Sequence, residues 1–225
     1  MQRTAAEART EHIRVMGEEL GTIYDALWQE VAWLHGKWAD YVALFGTTES
    51  RVSLLNSTAP TFFNLVQDSI WENILLHIGR MTDPTATAKK QNLTIQRLPE
   101  LIDRPETRRK VEEMISTALA SSGFARDWRN RHIAHADLEL RTTDNARPLE
   151  LASRQLVNQA LKALSDVMNA VAAEYLDSTS FFDTLDGDAL SLLYVIQDGQ
   201  RAEVQHRERL QSGILDQDDF TSQDI

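Results

Sequence analysis

Twelve residues carry most of the chemical capacity of this sequence: Arg126-Asp127-Trp128-Arg129-Asn130-Arg131-His132-Ile133-Ala134-His135-Ala136-Asp137. A guanidinium grips an anion through a planar fork of N–H donors, and an imidazole exchanges its proton near neutral pH. Together they suit a phosphate group with a proton transfer beside it. No other stretch concentrates both kinds of group. Between Lys89 and His135 stand ten Lys/Arg and six Asp/Glu, a local excess of positive charge in a chain whose net charge is −11. A basic middle on an acidic body fits a localised phosphate site better than a surface that coats nucleic acid by charge alone.

The remaining composition narrows the classes. The chain has 225 residues, which suggests one domain with extensions, and 42% hydrophobic residues, enough for one sizeable core. It contains no cysteine, so disulfide frameworks, thiolate zinc sites and cysteine nucleophiles are excluded. The first ten residues (MQRTAAEART) lack the apolar core of a signal peptide, and no run approaches the ~20 apolar residues of a membrane span. The expectation is a soluble cytoplasmic protein without membrane contact. Nine glycines and five prolines leave little turn chemistry for an all-β fold.

The elements that must position the motif read as helices. Ile13, Met16, Leu20, Ile23, Leu27, Val31, Leu34, Trp38, Tyr41 and Phe45 recur at spacings of three or four. They predict one long amphipathic helix with a stripe ~50 Å long, weakened at Gly17, Gly21 and Gly36 and stopped at Gly46. A second helix starts near Pro60, where proline suits the first turn, and carries Phe62, Phe63, Val66, Ile70, Trp71, Ile74, Leu75, Ile78 and Met81 to a stop at Asp83-Pro84. Residues 84–92 form a polar loop. Short helices follow over 93–102 and 105–121, then the motif segment 124–140 and a second polar loop over 141–148. Leu156, Leu161, Leu164, Val167, Met168, Val171 and Tyr175 describe a further helix, and Leu190, Leu193, Val195 and Ile196 the last. The fold class is all-α, a bundle of four to five helices with a long N-terminal helix.

Arg129-Asn130 and the downstream His135 resemble the R-x(4–6)-H motif of HEPN domains, in which a polar residue follows the arginine. The helix DSIWENILLHIGRMTD (68–83), the segment 93–102 and the RN…AH stretch resemble, in that order, the AbiU-type abortive-infection branch. The resemblance covers roughly residues 10–175. It implies a metal-independent endoribonuclease, without cofactor or metal ligands, that dimerises so that two motifs face each other. By motif position, Arg129 would hold the scissile phosphate and stabilise charge on the phosphorane. His135 would act as general base or acid at the 2′-hydroxyl or the 5′-oxygen. Asn130 would orient the histidine or the phosphate. The products would be a 2′,3′-cyclic phosphate and a 5′-hydroxyl, formed in bacterial antiviral defence or by a toxin, with RNA as substrate and a separate antitoxin as a further partner.

Helix geometry adds a constraint of its own. At 100° per residue, Arg129 and His135 fall about 120° apart on an ideal helix, whereas Arg129 aligns with His132 and Arg131 with His135. One chain converges this pair only if the backbone departs from α-helix; otherwise a second protomer supplies the partner, which favours a homodimer with a composite site. His132 competes with His135 for proton transfer, and Arg126, Arg131 and His132 are further candidate contacts to RNA phosphate.

Plainer readings stand beside these. The segment could be a basic helix end paired with acidic neighbours, making the protein a catalytically inactive helical module that binds RNA, a nucleotide or a partner protein. His132 and His135 could form a metal pair, although only Asp127 and Asp137 stand at adjoining helical positions and a third ligand must come from elsewhere. His77 reads as a hydrogen-bonded core or boundary residue, and Asp68 with Glu72 as a salt-bridged face. By organisation, residues 1–46 form the N-terminal helix, packed on the bundle or forming a dimer seam. Residues 47–180 form the HEPN-like bundle, 181–215 a helical extension, and 216–225 an acidic disordered tail.

Overall fold

The computed structural model describes residues 4–135, 137–184 and 187–215. The acidic tail over 216–225 lies outside the described residues. Ten α-helices account for most of the described chain, with a single two-stranded ladder, so the protein is all-α. No helix among the described residues is long and apolar enough to cross a membrane.

The N-terminal pattern forms two helices, not one. Helix α1 (Ala5–Met16) opens with a capping box, Thr4 Oγ1 accepting from the Glu7 amide at 3.3 Å and the Glu7 carboxylate accepting from the Thr4 amide at 2.8 Å. It starts eight residues before the apolar stripe does, because the cap and not the stripe sets the first turn. It ends at Gly17, whose φ of +84° is open to glycine at no steric cost, and α2 (Glu18–Phe45) follows at once. The two helices then approach closely at Gly21, where a Cβ would stand 2.5 Å from the Ile13 Cα. His12 adds a 2.9 Å contact to Asp25 across the break. The stripe of α2 is consumed by its own chain: Leu20, Tyr24, Leu27, Val31 and Leu34 are buried.

Helix α3 (Glu49–Thr58) precedes α4 (Pro60–Met81), which begins with its proline in the first turn and ends ahead of Pro84, as the sequence predicts. The loop that follows is tighter than its polarity suggests. Strands β1 (Ala86–Thr87) and β2 (Lys90–Gln91) pair antiparallel across Ala88 and Lys89, both at positive φ. Two positive φ values are what a two-residue hairpin needs, normally met by Asn-Gly, so the turn signal was absent from the sequence. Thr94 Oγ1 donates to the carbonyls of Met81 (2.9 Å) and Asp83 (2.8 Å), and Gln96 Nε2 to those of Thr82 (3.0 Å) and Asp83 (2.8 Å). The orphan carbonyls at the end of α4 are thereby satisfied and that end is held rigidly.

After α5 (Leu98–Leu101), helices α6 (Pro105–Ser121) and α9 (Arg154–Tyr175) pack against each other. Val111, Ile115 and Ala118 meet a face of α9 built from Val157, Ala160, Leu161, Leu164, Val167, Met168 and Val171, all buried. Each Val, Leu, Ile or Met side chain among them is worth roughly 1.5–3 kcal/mol. Arg104 at the start of α6 pairs with Glu174 in the last turn of α9, and the Tyr175 hydroxyl donates to Asp103 at 2.6 Å, so the pair runs antiparallel.

Two compact units divide the chain. One gathers residues within 1–39 and 68–186, the other those within 40–67 and 187–225. The second unit has its own core: Leu44, Leu55 and Phe63 with Ala189 and Leu193 of α10 (Ala189–Gln211). Asp40 accepts from the Ala189 amide at 3.1 Å, and Gln200 donates to the hydroxyls of Ser57 and Thr58. Residues 47–67 therefore group with the C-terminal helix. The contacts responsible join segments well over a hundred residues apart, which local patterning does not reveal.

Candidate functional site

The motif does not continue a regular α-helix. Helix α7 (Gly123–Trp128) leads into a π-turn over Arg129–Ile133, where the Ala134 amide bonds the Arg129 carbonyl five residues back at 2.8 Å. The Asp137 amide then reaches the Arg131 carbonyl at 3.2 Å, a still wider loop of six residues, before the short helix α8 (Leu138–Thr142), capped by the Asp137 carboxylate. Single π-turns inside helices cluster at functional sites because they re-aim side chains that an α-helix would hold elsewhere. Here the widened turn breaks the alignment of Arg129 with His132 and of Arg131 with His135 that regular helix predicts.

Each candidate side chain has a distinct fate. The Arg129 guanidinium lies across α4 at Gly79, where a Cβ would stand 3.4 Å from its Cδ. It pairs with the Asp83 carboxylate, and its Nε donates to Asn130 Oδ1 at 3.0 Å. Both members of the Arg129–Asp83 pair are about one-fifth exposed, so the charge is held by geometry and still reachable. Asn130 itself is exposed. The structure thus brings Arg129 and Asn130 together.

Arg126 and Arg131 are engaged inside the fold. Arg126 donates to the Leu119 carbonyl at 2.8 Å and to Thr82 Oγ1 at 3.3 Å. Arg131 donates to the carbonyls of Arg147 (2.5 Å) and Pro148 (3.2 Å), and approaches Asp127 at 3.6 Å and Asp137 at 3.8 Å. With Asp127 accepting from the Glu150 amide and Trp128 Nε1 donating to the Glu150 carbonyl, Arg131 fastens the segment before α9 onto the motif. Two carbonyls accept from its fork and two carboxylates flank it, so a phosphate reaching Arg131 would compete with acceptors of the fold.

The two imidazoles differ as sharply. His132 Nδ1 accepts from Arg141 at 3.4 Å, Nε2 faces Glu72 Oε1 at 3.2 Å, and the ring meets Trp128 edge-on at 5.5 Å. Both of its nitrogens therefore face a charged partner, Nδ1 through a hydrogen bond and Nε2 through ion-pair proximity. His135 is exposed and makes no hydrogen bond or ion pair among the described residues. No hydrogen bond joins it to Arg129 within the chain. No group of three or more His, Asp or Glu side chains among the described residues could hold a metal ion.

Gly79, Asp83 and Arg141 escaped sequence reasoning, which gives Glu72 only as part of a salt-bridged face with Asp68. Glu72 and Gly79 lie on one stripe of α4 and Asp83 just past its end, at spacings of seven and four, which is the trace that periodicity could have offered. Nothing in the sequence said which partner that stripe meets.

The all-α fold and the Arg-Asn…His motif agree with the HEPN resemblance of the sequence. The family model for AbiU2 (HEPN_AbiU2) matches residues 17–192, and the chain belongs to this abortive-infection family. No curated protein and no solved structure matches it.

Proposed function

We propose that the protein is a metal-independent endoribonuclease acting in bacterial antiviral defence or as a toxin, its site completed by a second copy of the chain. The observation that carries this reading is the division between the two histidines. His132 has a charged side chain facing each nitrogen, Arg141 at one and Glu72 at the other, whereas His135 presents a solvent-accessible imidazole just past the turn that seats Arg129. An imidazole that must take up a proton needs a free nitrogen, and His135 has one.

In the proposed reaction, His135 removes the proton of a ribose 2′-hydroxyl. The 2′-oxygen attacks the adjacent phosphorus as the bond from phosphorus to the 5′-oxygen breaks. The leaving oxygen takes a proton from an imidazolium, supplied in the composite site by the partner protomer. Arg129, oriented by Asp83 and Asn130, stabilises the charge gathering on the phosphorane oxygens. The products are a 2′,3′-cyclic phosphate and a 5′-hydroxyl. The second reading, a catalytically inactive module binding RNA, a nucleotide or a partner protein, has support in Arg126 and Arg131, whose donors are spent on the fold.

A cleavage assay on mixed RNA with end analysis separates the two readings. Cyclic-phosphate ends that persist in EDTA, and that disappear in His135→Ala, support the nuclease. Intact RNA bound by the wild-type chain supports the inactive module.

A further inference from the structure

On the face of α4 next to the Glu72–Gly79–Asp83 stripe, a polar cleft of about 210 Å³ opens toward α2. Glu30, Trp33 and Lys37 line one wall at spacings of three and four, and Asn73, His77 and Arg80 the other. Three features resist a purely structural account. Trp33 is 67% exposed, an unusual position for an indole without a partner, and its ring has the Lys37 ammonium 6.0 Å from its centre. Arg80 is exposed and has no hydrogen-bond or ion-pair partner among the described residues. His77, 4% exposed, accepts from Lys37 at Nδ1 (3.3 Å), which leaves its ring proton on Nε2. That buried Nε2 stands 2.8 Å from Glu30 Oε2 but lacks the direction for a hydrogen bond.

We propose that this cleft binds one nucleotide of a single-stranded RNA, the base stacked on Trp33 and its phosphate held between Lys37 and Arg80. The lining argues against a bare anion, because Glu30 would repel it. A nucleobase, by contrast, carries both a π-face for the indole and edge N–H donors for Glu30 and Asn73 Oδ1. The volume lies below the ~300–1,000 Å³ of pockets that enclose whole small ligands, so it suits one unit of a longer strand over a free nucleotide. Continuity points the same way: Arg80 follows directly on Gly79, across which Arg129 lies, so a strand crossing α4 meets both sites. The inference rests on RNA being the substrate and extends that reading to the nucleotide flanking the scissile bond.

The test uses the full chain and a labelled 2′-O-methylated RNA ten-mer, which lacks the attacking hydroxyl and stays intact while fluorescence anisotropy reports its binding. Trp33→Ala should weaken binding about tenfold or more, the scale of one lost base–aromatic stack, while Trp33→Phe retains most of it. Arg80→Gln should lower the slope of log affinity against log salt by about 0.7, one phosphate contact to a single strand. Lys162→Gln, an exposed cation on α9, should change nothing. Binding of Trp33→Ala within twofold of wild type overturns the proposal, as does an equal loss in Lys162→Gln. Displacement of the ten-mer by mixed nucleoside monophosphates at comparable concentration overturns the strand assignment in favour of a free nucleotide. Cleavage of unmodified RNA by the wild-type chain is scored separately. Cleavage with Trp33-independent binding sinks this inference alone, and Trp33-dependent binding without cleavage sinks the nuclease reading alone.

Discussion

His77 and His135 are the same chemical group set in opposite surroundings on one molecule. His77 is buried on α4, with an ammonium at one nitrogen and a carboxylate beside the other. Burial first, and the Lys37 charge second, push its pKa down to about 4, so at neutral pH it is a fixed neutral dipole. His135 stands in solvent beyond a π-turn with no partner among the described residues. The regular part of α4 therefore holds an imidazole that can do little but stay in place. The irregular turn presents one that is exposed to solvent. Arg129 and Arg131, two residues apart and both about one-fifth exposed, differ in their partners: Arg129 is laid over Gly79 and paired with Asp83, whereas Arg131 donates to the Arg147 and Pro148 carbonyls.

The sharpest way to break this comparison is to remove the exposed groups. His135→Ala should lower RNA cleavage by about 10²–10⁴-fold, the usual worth of a positioned general acid or base. The same change should leave stability within about 0.5 kcal/mol, because an exposed unpartnered side chain is lost. Arg129→Ala should cost cleavage about 10²–10³-fold. Cleavage at the wild-type rate in both would remove His135 and Arg129 from the chemistry.

His77 should instead reveal itself in stability. Its folded pKa lies below the ordinary value of 6.5, so between about pH 6.5 and 4 the unfolded chain binds the extra proton. Stability is then full above that window and falls as pH drops through it, by up to a few kcal/mol. Urea melts from pH 7 to pH 4 should show the loss in the wild type and a flatter profile in His77→Gln. Equal slopes in the two would contradict the burial argument.

A packing change tests the region that holds α2 in place. Gly21→Ala puts a methyl group 2.5 Å from the Ile13 backbone, so α1 must move, at about 1–3 kcal/mol and several degrees of melting temperature. An unchanged melting curve would mean that α1 detaches without cost. The smallest effect is expected at Arg131. Arg131→Ala should lower stability by about 1–2 kcal/mol through its lost hydrogen bonds to Arg147 and Pro148, with cleavage falling far less than in Arg129→Ala. Calorimetry and the cleavage assay on one preparation would show whether the two arginines separate as their contacts require.

Much of the frame was legible in advance. Pro60 in a first turn and Pro84 beyond a last one bracket α4 in sequence as in structure, because proline acts on its own backbone and its immediate neighbours. The apolar period of α9 was likewise plain, since one side of that helix is buried along its whole length. The break at Gly17 was visible only as a weak point. Glycine permits a positive φ without demanding it, and the demand comes from the close approach at Gly21. The hairpin at Ala88-Lys89 left no trace, its strained turn being held from outside by Arg97 donors to the carbonyls of Asn92 and Thr85.

The amino-acid order alone determined that the chain is helical, where most helices lie, and that Arg129, Asn130 and His135 share one short segment, since periodicity and motif spacing are local properties. The match to the HEPN_AbiU2 family model rests on that amino-acid order as well. Which histidine is free, which arginine is spent, and that Asp83 and Glu72 back the motif were decided by tertiary structure. Those outcomes depend on which side of α4 meets the π-turn, a contact made across some fifty residues and set by how the helices bury their apolar faces.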